Sequence, residues 1–236
     1  MVRKILFGAL TLLLALSLVG CGGKKDAAKT DAPAEQKAEV AVEGTPDKAV
    51  LAYAQLYAYG VIEDENQKAA GMTQADIDKV QEQVVAPLVQ AFSQYPLSDE
   101  SVATMTAQYI EKLHMAMDMK ATVKTEDKEH PVVELKATTI NQEGAAKIAE
   151  TNEDLVALGT AYGELQAQGL TEEDLKTSSD FQQFALESID KYINEFPLNE
   201  EATLEVTCKA VEGSDGKMYW APENPEAVAK FVTGQK

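Results

Sequence analysis

The residues best suited to chemistry are a short cluster of thioethers with one imidazole. The cluster contains His114, Met115, Met117 and Met119. Thioether sulfur and imidazole nitrogen together suit Cu(I). Methionines at every second position are also typical of a strand whose one face packs beneath helices. Core packing is the favoured interpretation, so we expect no metal site here, and copper binding is the alternative.

A second candidate is the thiol of Cys208. It shares a predicted strand face with Leu204 and Val206, and no basic neighbour in sequence would lower its pKa. A cysteine in that position is typically a small buried hydrophobe rather than a nucleophile. The two histidines, His114 and His130, are not at the helical spacing of a zinc site. The chain has no GxSxG motif, no P-loop and no GxGxxG motif after a strand, so the sequence predicts no catalytic residues, no cofactor and no enzyme.

The charge of the chain restricts its partners. The formal net charge is −18, and Arg3 is the only arginine in 236 residues. Nucleic-acid binding needs a basic surface, and bidentate recognition of phosphate or carboxylate needs guanidinium groups. We therefore expect no nucleic-acid partner.

The N-terminal segment predicts export. Arg3 and Lys4 precede a mostly apolar run from Ile5 to Leu18, which is typical of a secretory signal and too short for a bilayer span. The run ends in Leu18-Val19-Gly20-Cys21, which resembles the lipobox of bacterial lipoproteins. An uncleaved signal anchor is the alternative.

The lipoprotein resemblance implies a location. It implies cleavage after residue 20, acylation of Cys21 with chains such as palmitate, and attachment to the extracytoplasmic face of the cell membrane through those chains. Gly22 is not an aspartate, so nothing marks retention in the inner membrane. In a cell with two membranes, the outer membrane is therefore an alternative location. Residues 21–45 are rich in Ala, Lys, Glu and Pro, which predicts a flexible tether before a single domain over 46–236.

The domain pattern predicts an α+β fold. Thr45 to Gly60 is a helix with a cap, a proline at its start and a glycine stop, and further helices begin at Thr73 and Ser98. Period-two alternation predicts two antiparallel hairpins, one from Met117 to Thr138 and one from Leu204 to Trp220. Helices between about 143 and 195 separate the hairpins, and a short helix after Asn224 ends the chain. We expect the helices to pack on a small curved antiparallel sheet.

Two stretches of the domain are alike. Gly71-Met-Thr73 with Asp76 matches Gly169-Leu-Thr171 with Asp174, and Tyr95-Pro-Leu97 matches Phe196-Pro-Leu198. Shared helix punctuation and an internal duplication both explain the match.

The order of elements carries a second resemblance. Four features carry it: a first helix from Thr45 to Gly60, a late strand Leu204-Glu-Val-Thr, a last strand Gly216-Lys-Met-Tyr-Trp220, and a closing helix that stops at Gly234. Together they resemble the uncharacterised lipoprotein family of domain of unknown function 5105. The resemblance implies a fold similar to nuclear-transport-factor-2-like or cystatin-like proteins. It implies no activity and no site residues.

Three aromatic residues define a predicted pocket. Tyr53 and Tyr57 lie on the first helix and Trp220 lies on the last strand, so a cavity between that helix and the sheet would bring them together. With few cations nearby and an acid such as Glu205, a guest would be neutral or cationic. Filling of the core by these aromatics is the favoured alternative. The sequence thus predicts a non-enzymatic binding or structural lipoprotein with a protein or small-molecule partner, the alternative being a carrier of a small molecule or copper.

Overall fold

A computed structural model describes residues 41–235 of the chain. The predicted signal peptide, Cys21 and most of the predicted tether lie outside the described residues. Residues 41–235 form nine helices and five strands. The helices are α1 Pro46–Tyr59, α2 Asp64–Ala70, α3 Gln74–Phe92, α4 Asp99–Ala116, α5 Gln142–Thr151, α6 Glu153–Ala167, α7 Glu172–Thr177, α8 Ser179–Asn194 and α9 Pro225–Val232. The strands are β1 Val42–Glu43, β2 Met119–Thr125, β3 Val132–Ile140, β4 Leu198–Glu212 and β5 Met218–Pro222.

The helix ends follow the local sequence. α1 has Pro46 in its first turn and stops at Gly60, whose φ of 74° is the left-handed conformation that glycine adopts without strain. At the start of α3, the Thr73 N–H donates to Asp76 Oδ2 (3.0 Å) and the Asp76 N–H donates to Thr73 Oγ1 (3.3 Å). This capping box confirms the predicted start of the second major helix.

The five strands form one curled mixed sheet in the order β1-β5-β4-β3-β2. The alternating segments pair as predicted, because Ala121 lies opposite Leu135 in one hairpin and Ala210 lies opposite Trp220 in the other. β3 and β4 pair antiparallel and join the two hairpins. The α+β fold class is confirmed.

β1 corrects the expectation of a purely antiparallel sheet. Val42 and Glu43 pair in parallel with Met218 and Tyr219 of β5. Both β1 residues belong to the segment that the sequence assigned to the tether. Two residues are too few to show an alternating pattern, so only the pairing itself reveals the strand.

The core lies between one face of the sheet and the helices. Buried alanines and Val50 of α1 contact this core together with Val133, Leu135 and Cys208 of the sheet. Alanine on the buried face brings the helix close to the strands. None of the helices within residues 41–235 is long and apolar enough to cross a membrane.

The segment around the methionine cluster differs from its predicted strand. α4 continues to Ala116, so His114 and Met115 lie in its last turn, and β2 begins at Met119 rather than at Met117. Met115 is 73 % exposed, whereas Met117 is buried. The prediction that Met115 is part of a buried strand face is therefore wrong, because helical geometry turns its side chain away from that of Met117.

The two similar stretches share their caps but not the elements that follow. Thr171 and Asp174 form the same capping box as Thr73 and Asp76. α3 then continues for 19 residues, whereas α7 ends after 6 residues and Ser178 caps a new helix. Internal duplication stays a prediction.

Candidate functional site

A cleft of about 790 Å³ opens beside α1 and the turn between β4 and β5. We call it the tyrosine cleft, and its size is within the usual range for small-molecule sites. Its walls come from α1, the α2–α3 junction, α3, the β4–β5 turn and the start of α9. Its lining includes Tyr53, Tyr57, Gly71, Asp76, Lys79, Glu212, Gly213, Tyr219 and Glu226.

Two of the three predicted aromatic residues line this cleft. Tyr53 and Tyr57 are one helical turn apart on α1, and their ring centroids are 6.2 Å apart with the planes tilted by 39°. Both rings are half-buried. Burial, followed by the nearby Tyr57 and Asp76, raises the pKa of Tyr53 to about 12, so this side chain stays a neutral phenol at physiological pH.

The third aromatic residue of the lining is Tyr219 rather than the predicted Trp220. Neighbouring strand residues point to opposite faces, and Trp220, which is 9 % exposed, packs in the core. Trp220 therefore does not line the cleft and fills the core, as the favoured interpretation of these aromatic residues predicts. Glu205, the acid named with this pocket, is not among the lining residues either, and Asp76, Glu212 and Glu226 are the acids at the cleft.

Tyr219 is held in a slot between two glycines. A Cβ atom at Gly71 would come within 2.3 Å of the Tyr219 ring, and one at Gly213 within 2.8 Å. The Tyr219 hydroxyl donates to Asp215 Oδ2 at 2.8 Å. The ring position therefore depends on the absence of side chains at both glycines and on the acid of the turn.

A second cleft of about 600 Å³ shares part of its wall with the first. Gly71, Met72, Ser214 and Tyr219 line both clefts. Its charged residues include the ion pairs Lys48–Glu65 and, at 3.7 Å, Lys217 Nζ–Glu43 Oε1, and also Lys68 and Asp215. Tyr219 is thus a common wall between an aromatic cleft and a cleft with balanced charge.

The tyrosine cleft has an excess of negative charge. Asp76, Glu212 and Glu226 line it together with Lys79. Glu226 pairs with Lys230 at 3.0 Å, and Asp76 accepts the hydrogen bonds of the α3 cap. Glu212 has no ion pair with another residue of the described range, so its charge is the least compensated of the three.

The other candidate residues lie outside the lining of the tyrosine cleft. Cys208 is fully buried, and burial raises the pKa of its thiol to about 12, which disfavours the thiolate that a nucleophile needs. The His114 ring stacks on Tyr59 at 4.9 Å, and Met117 contacts the core. Within residues 41–235, no group of three or more His, Cys, Asp and Glu side chains is placed to hold a metal ion.

Sequence reasoning missed Tyr219 and its two glycines. Gly71 is recognisable as a helix stop and Gly213 as part of a turn, but the contact with Tyr219 joins distant parts of the chain. The alternation of β5 was the one available signal, because it assigns Tyr219 and Trp220 to opposite faces.

Comparison with known proteins yields one weak structural similarity. No protein-family model and no curated protein matches the chain. The chain is similar to the crystal structure of a candidate lipoprotein, ycdA, from Bacillus subtilis, with 12 % sequence identity and a TM-score of 0.45. The match covers 80 % of this chain and 56 % of that chain. This similarity is too low to transfer a function, and the resemblance to domain of unknown function 5105 stays a prediction.

Proposed function

We propose that the protein is a lipid-anchored binding protein on the extracytoplasmic face of the cell membrane. In this proposal, acyl chains on Cys21 hold the protein at the membrane and the tyrosine cleft binds a small molecule. The signal sequence and Leu18-Val-Gly-Cys21 support the anchor. The observation that carries the binding role is the preformed cleft, in which Tyr53, Tyr57 and Tyr219 present half-buried rings.

A binding role fits the cleft better than catalysis does. Its tyrosines have raised pKa values and stay protonated. Among residues 41–235, its lining includes no histidine or cysteine that could form a nucleophile and base with the acids. The buried Cys208 thiol belongs to the core rather than to the cleft. What the cleft offers is aromatic surface, hydroxyl groups and carboxylates, which are groups that orient a ligand.

One experiment tests both parts of the proposal. The intact protein, purified from membranes in mild detergent, is examined by native mass spectrometry beside its Cys21→Ser variant. We expect the wild-type chain to begin at an acylated Cys21 and to carry a small molecule that is released by unfolding. The variant should keep its signal peptide and lack the acyl mass, because the thiol that accepts the lipid is missing.

The two readouts fail independently. An acylated N-terminus on the variant, or an unprocessed wild-type chain, would contradict the anchor. A wild-type chain that retains no small molecule and is not stabilised against heat by any solute of a chemically mixed panel would contradict the binding role. Tyr57→Leu is the matched variant for the second readout, since it removes one ring from the cleft without touching the anchor.

A further inference from the structure

The tyrosine cleft combines aromatic rings with carboxylates, and this combination distinguishes between classes of ligand. Tyr53 and Tyr57 have centroids 6.2 Å apart with their planes tilted by 39°, so one cation placed over both rings can lie within about 6 Å of each centroid, the distance over which a ring attracts positive charge. Tyr219, on β5, adds a third ring to the lining of the same cleft. Electron-rich ring faces favour ammonium groups and offer nothing comparable to an anion.

The charges of the cleft also favour a cationic ligand over an anionic one. Three carboxylates line the cleft, of which Glu226 is paired with Lys230, so Asp76 and Glu212 face the single lining ammonium of Lys79. The whole chain has a formal net charge of −18. An anionic ligand would enter against this field, whereas a cation would be attracted to it. No arginine is present in the described residues to form a bidentate contact with a carboxylate or phosphate.

A metal cation is less suited to the cleft than an organic one. Calcium and magnesium need several oxygen ligands that converge on one point. Among residues 41–235, no group of three or more acidic, histidine or cysteine side chains is placed to provide them. A cleft of about 790 Å³ is also far larger than a bare ion requires and fits a molecule with an apolar body.

We propose that the tyrosine cleft selects small organic cations, either amines or quaternary ammonium compounds, with the charged nitrogen near Tyr53 and Tyr57 and with Glu212 as its counter-charge. This inference rests on the proposed binding function and names the ligand class of the same cleft. Glu212 is the acid assigned this role because Asp76 caps α3 and Glu226 is paired with Lys230.

The test compares ligands that differ in charge and hardly in shape. The probes are choline, its uncharged isostere dimethylbutanol and its anionic analogue dimethylbutyrate, with putrescine, butanediol and succinate as a second series. Binding to the intact protein in detergent is measured by titration calorimetry. We expect each cation to bind about tenfold more tightly than its uncharged isostere and the anions not to bind.

Variants locate the cation. Glu212→Gln should weaken cation binding about fivefold and leave the uncharged isosteres unchanged, because it removes charge without removing volume. Glu205→Gln is the matched control, since Glu205 lies on the same strand outside the cleft lining. Tyr57→Leu should weaken cation binding about fivefold, and Tyr57→Phe should retain it because the ring face is preserved.

The outcomes separate this inference from the proposed function. Isosteres that bind as tightly as the cations, or equal effects of Glu212→Gln and Glu205→Gln, would overturn the selectivity for cations and leave a binding protein. If no probe of any charge binds, and the protein carries no ligand as purified, the binding function itself is overturned.

Discussion

Tyr109 is buried, but its side-chain hydroxyl forms no hydrogen bond within residues 41–235. Its ring lies in the core on α4 and meets Phe196 edge to face, with the centroids 5.1 Å apart. Its hydroxyl is inaccessible and has no hydrogen-bond partner within residues 41–235. A buried hydroxyl without a partner loses its hydration and gains nothing in return.

Tyr109→Phe should therefore stabilise the protein. We expect the free energy of unfolding to rise by about 1 kcal/mol, because the variant keeps the ring contacts and removes the unsatisfied hydroxyl. Urea denaturation followed by circular dichroism provides the measurement.

Tyr162→Phe is the matched control for this change. Its hydroxyl donates to Glu172 Oε1 at 3.1 Å and accepts from Gln166 Nε2 at 2.8 Å, so its loss should lower the free energy of unfolding by about 1 kcal/mol. Equal losses in the two variants would show that the Tyr109 hydroxyl has a partner in solution.

Among the helices and strands, the sequence predicts those that repeat a local pattern. The hairpins were predictable because apolar residues alternate over several positions, as in Val133, Leu135 and Ala137. α1 and α3 were predictable because capping residues and a glycine stop mark their ends. α2 was missed because Asp64–Ala70 is only about two turns long and begins with five polar residues that show no apolar period. β1 was missed because its only signature is its pairing with β5.

The residues of the candidate site also divide into those that a local pattern predicts and those that only the fold brings together. Tyr53 and Tyr57 were predictable as neighbours because helical spacing alone brings them together. Tyr219 joins them only through the packing of the β4–β5 turn against the α2–α3 junction, which no local pattern encodes. The cap glycine Gly71 is therefore both a local signal and a long-range contact.

The contact between Gly71 and Tyr219 can be tested by comparison with Gly169, which also has a positive φ just after the end of a helix. Gly71 has a φ of 61° and faces the Tyr219 ring, whereas Gly169 has a φ of 93° and has no atom within 4 Å of an added Cβ. Gly169→Ala should cost about 1 kcal/mol of stability from backbone strain alone. Gly71→Ala should cost about 3 kcal/mol, since the ring must also move.

A double variant separates the two contributions. Replacing Tyr219 by serine in the Gly71→Ala background removes the ring that the new methyl group meets. The cost of Gly71→Ala should then fall to that of Gly169→Ala in urea denaturation. A cost that is unchanged without the ring would refute the slot as the reason for glycine at this position.

The negative charge of the protein assigns membrane attachment to the lipid rather than to the protein surface. A formal net charge of −18 repels anionic headgroups, so the protein surface contributes little to membrane binding and the proposed acyl chains must supply it. On the solvent face of the β2–β3 hairpin the charges are partly neutralised by ion pairs such as Lys124 Nζ–Glu134 Oε2 at 3.0 Å.

All eight tyrosines lie in the described part of the chain, and the pKa of each is raised. Burial is the main cause except at Tyr219, where the hydrogen bond to Asp215 is. Burial raises the pKa of Tyr59 and Tyr95 to about 12, against an ordinary value of 10.0. Above pH 10 the unfolded chain therefore releases phenolic protons that the folded chain retains, and proton release favours unfolding.

We expect the stability of the protein to be intact below the ordinary tyrosine pKa and to fall steeply as the pH rises from about 10 to about 12. Tyrosinate absorbance and the helical circular dichroism signal, recorded on the same samples, should change together in one cooperative transition. The chain in concentrated urea is the control, and its tyrosines should titrate near 10 without cooperativity. If tyrosinate absorbance develops fully near pH 10 in buffer while the helical signal persists, the tyrosines are solvated in the folded state, and both the aromatic core and the half-buried walls of the tyrosine cleft are contradicted.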